Sequence, residues 1–269
     1  MKHDVRVAAI QMVSSTQVPA NLARAEQLVA KAAEAGAQLV VLPEYFPLIG
    51  LHESDKLQHA EADGEGPLQD FLRQLAARHQ IWLVGGTVPL RATTPEKVRN
   101  SLLVFDPQGE RVLRYDKVHL FSLERGNERY DESRTIEAGS ETATFQTPFG
   151  HVGVAVCYDL RFPELFRRFA GVDMIVLPAA FTYGTGQVHW EILLRARAIE
   201  NQCYLVASAQ GGRHESGRNT WGQSMIVDPW GDILAQQAQG AGVVLAECSA
   251  LRLQQVRDML PALRHRVFC

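Results

Sequence analysis

A half-chain repeat restricts the fold more than any other feature of the sequence. Ala35-Gly36-Ala37-Gln38-Leu39-Val40-Val41-Leu42-Pro43 reads against Ala170-Gly171-Val172-Asp173-Met174-Ile175-Val176-Leu177-Pro178, 135 positions later. Gln80-Ile81-Trp82-Leu83-Val84 then matches Gln202-Cys203-Tyr204-Leu205-Val206 at an offset of 122. Ser101-Leu102-Leu103-Val104 before Asp106-Pro107-Gln108-Gly109 matches Ser224-Met225-Ile226-Val227 before Asp228-Pro229-Trp230-Gly231 at an offset of 123. Three matches in one order predict two helix-rich β units about a pseudo-twofold axis, each contributing a sheet. The expected architecture is α/β: two sheets packed face to face with helices outside.

Local patterning agrees. Apolar strands (Val5 to Met12, Leu39 to Leu42, Ile81 to Val84) alternate with helical periodicity over Asn21 to Glu34 and Leu68 to His79. Asp106-Pro107-Gln108-Gly109 is a turn joining the strands Ser101 to Phe105 and Glu110 to Tyr115. No Pro/Gly/Ser-rich linker divides the chain, so residues 1–269 are expected to form a single domain. With 27 basic and 30 acidic residues and a net charge of -3, nothing steers the protein to nucleic acid or an anionic membrane surface. No apolar run reaches the roughly 18 residues of a spanning helix, and Met1-Lys2-His3-Asp4 leads into a strand rather than a signal peptide's apolar segment. Four cysteines without a CxxC pair read as reduced thiols in a cytoplasmic compartment.

The repeat is broken where chemistry would enter. After the shared Leu-Pro the first half has Glu44-Tyr45-Phe46 and the second Ala179-Ala180-Phe181. This puts an acid at the carboxyl end of a buried strand, where open α/β sheets place ligands; the alternatives are a helix cap or an arginine pair. Cys157 lies between the apolar run His151 to Val156 and a helix opened by Phe162-Pro163. That position suits a nucleophile elbow, although a free cysteine is also a common inert core residue. A nucleophilic thiol needs a base or a cation nearby. Lys117 supplies a cation unless it merely snorkels to the surface, and His119 or His151 leaves a Cys–His dyad open. The remaining histidines, His189 and His214 among them, show no metal-ligand spacing, so no metal is expected.

Taken together, Leu42-Pro43-Glu44, Tyr115-Asp116-Lys117-Val118-His119-Leu120 and Gly153-Val154-Ala155-Val156-Cys157-Tyr158-Asp159-Leu160-Arg161-Phe162-Pro163-Glu164 resemble the three signature segments of the nitrilase (carbon–nitrogen hydrolase) superfamily. The resemblance implies an α-β-β-α sandwich, a Cys157 nucleophile, a Glu44 general base and a Lys117 oxyanion cation, with the Tyr158 backbone N–H as second oxyanion donor. Glu132, in Asp131-Glu132-Ser133-Arg134, matches a second glutamate beside the lysine, while Glu124 and Glu128 are assigned to the surface. It also implies no cofactor, a small-molecule amide substrate and assembly as a homodimer or higher homo-oligomer.

Tyr158-Asp159 after the cysteine, in place of Trp-Glu, favours amides over nitriles. His189 to Tyr204, Ala209 to His214 and Pro261 to Arg266 resemble the branch that hydrolyses deaminated glutathione to 2-oxoglutarate and cysteinylglycine; the sister ω-amidase branch acts on 2-oxoglutaramate. Either substrate carries a keto-acid carboxylate suited to an arginine. Arg161 and Arg213 are the leading candidates, with Arg195 and Arg197 behind them and scaffold ion pairs the alternative for each. The loop Gly211 to Thr220 is expected at the mouth of the site. A binding scaffold that retains idle catalytic residues is the non-enzymatic alternative.

Overall fold

In the computed structural model, which describes residues 1–126, 128–169 and 171–267, the repeat becomes two sheets with one strand order. The first half runs β1 (Val5–Gln11), α1 (Val18–Glu34), β2 (Leu39–Val41), α2 (Pro67–His79), β3 (Trp82–Val84), β4 (Val88–Arg91), β5 (Val98–Phe105) and β6 (Arg111–Asp116). A separate hairpin follows, β7 (Ser122–Arg125) and β8 (Glu128–Asp131). The second half runs β9 (Ala143–Gln146), β10 (His151–Val154), α3 (Pro163–Arg167), β11 (Met174–Ala179), α4 (Tyr183–Asn201), β12 (Tyr204–Ala209), β13 (Ser224–Val227) and β14 (Ile233–Gln237). β15 (Gly242–Cys248) and α5 (Ala250–Met259) close the chain.

In the first sheet β1, β2 and β3 are parallel neighbours, and β5 then β6 add antiparallel. In the second, β10, β11 and β12 are parallel, and β13 then β14 add antiparallel. Even the register repeats, with Leu83 opposite Phe105 and Leu205 opposite Val227. The outer neighbours also correspond: β15 pairs antiparallel with β1, and β9 pairs antiparallel with β10. Ala170, the first residue of the second repeat copy, and Cys269 lie outside the described residues.

Strand periodicity explains the layers. In β1 and β2, Val7, Ala9, Leu39 and Val41 join the core that holds Val152, Val154, Ile175 and Val176 of the second sheet. Their alternates Ala8, Ile10 and Val40 join Leu28 and Val29 of α1 and Leu72 and Leu75 of α2. Both faces are buried, which is why these strands are continuously apolar. On the far side Trp190 and Leu194 of α4 pack into the inter-sheet core cluster. The order is helix, sheet, sheet, helix, as expected.

Helix starts differ from the sequence reading by a few residues. Both α1 and α2 begin earlier, with Pro19 and Pro67 in their first turns, where a missing N–H costs nothing. Asn21, read as the first residue of α1, instead turns its buried amide onto the Ser15 and Pro47 carbonyls at 2.8 and 2.9 Å.

Cys203 and Cys248 are fully buried and free. Burial pushes the Cys203 thiol up to about 12, and Cys248 is raised as well, again chiefly by burial. A folded value above the unfolded one of about 8.5 means that this stabilisation is complete below about pH 8.5 and is lost as pH rises toward the folded value. Each such thiol should lower unfolding free energy by about 1.4 kcal/mol per pH unit in that window. Denaturant unfolding of Cys203→Ala between pH 8.5 and 10 should show a correspondingly shallower slope than wild type. An unaltered slope would mean that the thiol ionises equally in both states.

Candidate active site

Glu44 follows Leu42-Pro43 at the carboxyl end of β2 and is fully buried. Its backbone is held by the Gln210 side-chain amide, which donates to the Glu44 carbonyl at 3.1 Å. Gly86 (φ +58°) lies so close beneath this turn that a Cβ there would strike the Pro43 carbonyl oxygen, so a side chain is excluded. Glu44 Oε1 accepts from Asn100 Nδ2 and from Lys117 Nζ, each at 2.9 Å.

Lys117, immediately after β6, is 0% exposed. Its ammonium also donates to Glu132 Oε1 and Oε2 at 2.9 and 2.8 Å, so its three hydrogens are all engaged by carboxylates. Burial alone would strip the proton from this lysine, but Glu132 and Glu44 outweigh it and raise the pKa. Burial likewise pushes Glu132 up, yet Lys117 and hydrogen bonds from Phe121 N (2.7 Å) and the Tyr45 hydroxyl (2.8 Å) leave it lowered. The pair is therefore charged throughout the neutral range. Glu124, by contrast, is exposed; the Glu128 side chain lies outside the described residues.

Cys157 sits on the sharp turn after β10 with φ +49°, a left-handed conformation unusual for a non-glycine residue. Asp159 holds that turn. One carboxylate oxygen accepts from Val156 N (2.9 Å) and the Tyr115 hydroxyl (2.7 Å), and the other meets His119 N (3.0 Å) and His119 Nδ1 (2.8 Å). His119 also stacks on Phe162 at 3.7 Å between ring centroids. Its ring is thus engaged by Asp159 and Phe162 rather than poised as a Cys157 base. The Cys157 thiol is pushed well up, by burial first and then by the Glu44 charge, with Lys117 pulling the other way. The resting group is a thiol, not the thiolate a neighbouring cation would by itself favour. Glu44 Oε2 has no hydrogen-bond partner among the described residues, and the Glu44 charge is, after burial, the strongest influence holding the thiol up.

A model of the carbon-nitrogen hydrolase family matches residues 6–258. The chain belongs to that family. It is 42% identical over 270 residues, 98% of this chain and 94% of the relative, to a Yersinia enterocolitica protein named deaminated glutathione amidase. The crystal structure of the C. elegans NitFhit protein is similar at TM-score 0.89 and 37% identity, covering 99% of this chain and 66% of that one. A Saccharomyces cerevisiae member of branch 10 of the nitrilase superfamily is similar at TM-score 0.87 and 31% identity, covering 99% of this chain and 97% of that one.

In this carbon–nitrogen hydrolase a small pocket brings Cys157, Tyr158 and Glu132 together with Arg161, Phe181 and Arg218. Arg161 stacks over Phe181 (5.1 Å) and Tyr158 (5.8 Å) and meets His189 Nδ1 at 3.2 Å. Arg213 is not part of it: it is exposed, its backbone bridges to Asn219, and it lines none of the described cavities. Arg195 bonds Gly231 O and Glu191, and Arg197 bonds Leu160 O and Glu200, both scaffold contacts. The sequence reading missed Arg218, which lines the pocket from the Gly211 to Thr220 loop. It also missed Asp159, whose only signal was its place two residues after the cysteine.

Glu132→Gln tests the clamp. Glu132 accepts from Lys117, Phe121 and Tyr45 at once, and a glutamine amide would turn a donor toward donors. The rate should fall on the order of tenfold to a thousandfold, the scale of an electrostatic group at a reacting centre. An unchanged kcat would show that Lys117 is held without this charge.

Proposed function

We propose that this protein hydrolyses a linear amide through a thioester on Cys157. The observation that carries the reading is the buried Lys117 ammonium, clamped by Glu44 and Glu132 beside a thiol on a strained turn. Glu44 takes the thiol proton as Sγ forms its bond to the amide carbon. Lys117 and the Tyr158 N–H stabilise the oxyanion. Glu44 gives the proton to the amine nitrogen as the C–N bond breaks, leaving the thioester. It then takes a proton from water as the oxygen attacks, and returns it to the departing sulfur, so acid is released and the thiol restored. Glu132 touches no substrate atom in this scheme; it positions Lys117 and keeps it charged.

The substrate is deaminated glutathione, split to 2-oxoglutarate and cysteinylglycine. The name carried by the 42% identical relative supports this, as does an open cavity beside the Cys157 pocket whose lining includes Lys56, Arg129 and Arg218 along with Glu53. Its rim includes Ser216, Gly217, Arg218 and Asn219 of the expected loop. Residues 1–269 act as one domain, in the cytoplasm, where the three described thiols stay free. No described helix is long and apolar enough to cross a membrane. The protein acts as a homodimer: α4 buries Trp190 and Leu194 but leaves Val188, Ile192 and Ile199 at 56, 68 and 47% exposure, a stripe at helical spacing that a second copy would cover.

The kcat/KM for deaminated glutathione should exceed that for 2-oxoglutaramate by at least roughly tenfold, about 1.4 kcal/mol. A preference for 2-oxoglutaramate would move the protein to the ω-amidase reading with the mechanism intact. Cys157→Ala should fold with an unaltered circular dichroism spectrum and show no turnover; substantial amine release would end the covalent scheme. Ile192→Glu should convert the dimer to monomer in light scattering, and a dimer that survives would place the interface elsewhere.

A further inference from the structure

We infer that Arg218 reads the leaving-group side of the amide, holding the carboxylate of a short peptidic amine where the Cys157 pocket opens into the larger cavity. This rests on the amide-hydrolysis reading above. Two cavities lie side by side, the smaller at Cys157 and the larger between the segment around Leu48 to Lys56 and the 216–219 turn. Among the described residues Arg218 alone lines both. A substrate whose carbonyl carbon sits at Cys157 and whose amine projects into the larger space must pass it.

The guanidinium is fixed in that place. Gly217 turns the chain at φ +84°, His214 N donates to the Arg218 carbonyl at 2.8 Å, and the buried His214 ring is tied to Ser14 O and Thr220 Oγ1. Arg218 Nη2 donates to Ala180 O at 2.9 Å, and the N–H of the same Ala180 points at Cys157 Sγ from 3.5 Å. One residue thus separates the cation from the sulfur. Its plane lies against the Tyr130 ring at 5.4 Å.

Its donors are not used up. Buried Nε finds no acceptor among the described residues. Nη1 stands 3.9 Å from Glu53, beyond a hydrogen bond, because Glu53 is drawn to Lys56 at 2.8 Å. A guanidinium with a free edge, positioned in advance, suits a carboxylate's two oxygens. A cysteinylglycine leaving group extends about 7 Å from the scissile nitrogen and ends in such a carboxylate; ammonia brings none.

The test compares three amides of 2-oxoglutarate: the cysteinylglycine amide, the same compound with its glycine carboxyl capped as a carboxamide, and 2-oxoglutaramate. Wild type should favour the free carboxylate over the capped form by at least roughly tenfold in kcat/KM. In Arg218→Gln that preference should vanish, and the ratio of the cysteinylglycine amide to 2-oxoglutaramate should fall by at least roughly tenfold. Arg218→Lys, which keeps the charge without the fork, should fall between. Equal slowing of all three amides in the variants would overturn the inference, as would a wild type indifferent to capping, a result that needs no variant to fold. If wild type turns over none of the three, the functional reading falls along with it.

Discussion

A single buried ammonium organises this molecule. The Lys117 side chain is wholly buried, and a lysine so placed keeps its proton only if anions accompany it. Two do, from separate stretches of the chain: Glu44 from the end of β2 and Glu132 from the turn after the β7–β8 hairpin. Neither carboxylate is satisfied by the lysine alone. Asn100 completes Glu44, while Phe121 and Tyr45 complete Glu132. Removing one member of such a set leaves an uncompensated buried charge, typically at a cost of about 3–5 kcal/mol. The clamp therefore fixes how the hairpin, the β2 end and the β6 end sit relative to one another, and the catalytic geometry comes with that arrangement.

The cluster carries one more negative charge than positive, and this sets the chemistry. Cys157 is held up by its burial first and by this excess second, and stays protonated. A resting thiolate would be a ready nucleophile open to adventitious electrophiles; a thiol beside an available carboxylate oxygen is activated only as it attacks. The second half is bound to this arrangement by Asp159. It takes Val156 N from its own half, and Tyr115 and His119 from the first half. The pseudo-twofold axis makes this economical: it brings the carboxyl ends of two parallel strand sets to one end of the sandwich, where Met12 N reaches Ala209 O and Gly211 N reaches Met12 O.

Much of this was legible in the sequence, for identifiable reasons. One sheet from each half followed from the repeat, because matching apolar strands in matching order pair in matching ways. Glu44 was legible as the place where the repeat lost its symmetry, and Cys157 as a residue between a strand and a proline-opened helix. The arginines were not. Arg213 and Arg218 lie five residues apart in one polar loop, with no periodicity to say which turns inward. The His214 ring plugged between Ser14 and Thr220, together with the left-handed Gly217, sends Arg218 to the pocket and leaves Arg213 opposite Asn219. Those are long-range packing facts. Asp159 was hidden for a related reason: its three partners lie as far as 44 residues away.

The commitment of all three Lys117 hydrogens to carboxylates also limits how the lysine can act on an oxyanion. As a pure charge about 4 Å away at an effective dielectric near 20 it contributes about 4 kcal/mol. To form a hydrogen bond as well it must release one partner. The bidentate pair with Glu132 is the one to loosen, because Glu132 keeps a second lysine bond together with Phe121 and Tyr45. Glu44 has less reserve: without the lysine only Asn100 would remain on Oε1, and the proposed mechanism keeps Oε2 for the proton. In the proposed mechanism the two glutamates beside one lysine are thus not equivalent: one would give up a hydrogen bond as charge develops, and the other would hold its position while a proton comes and goes.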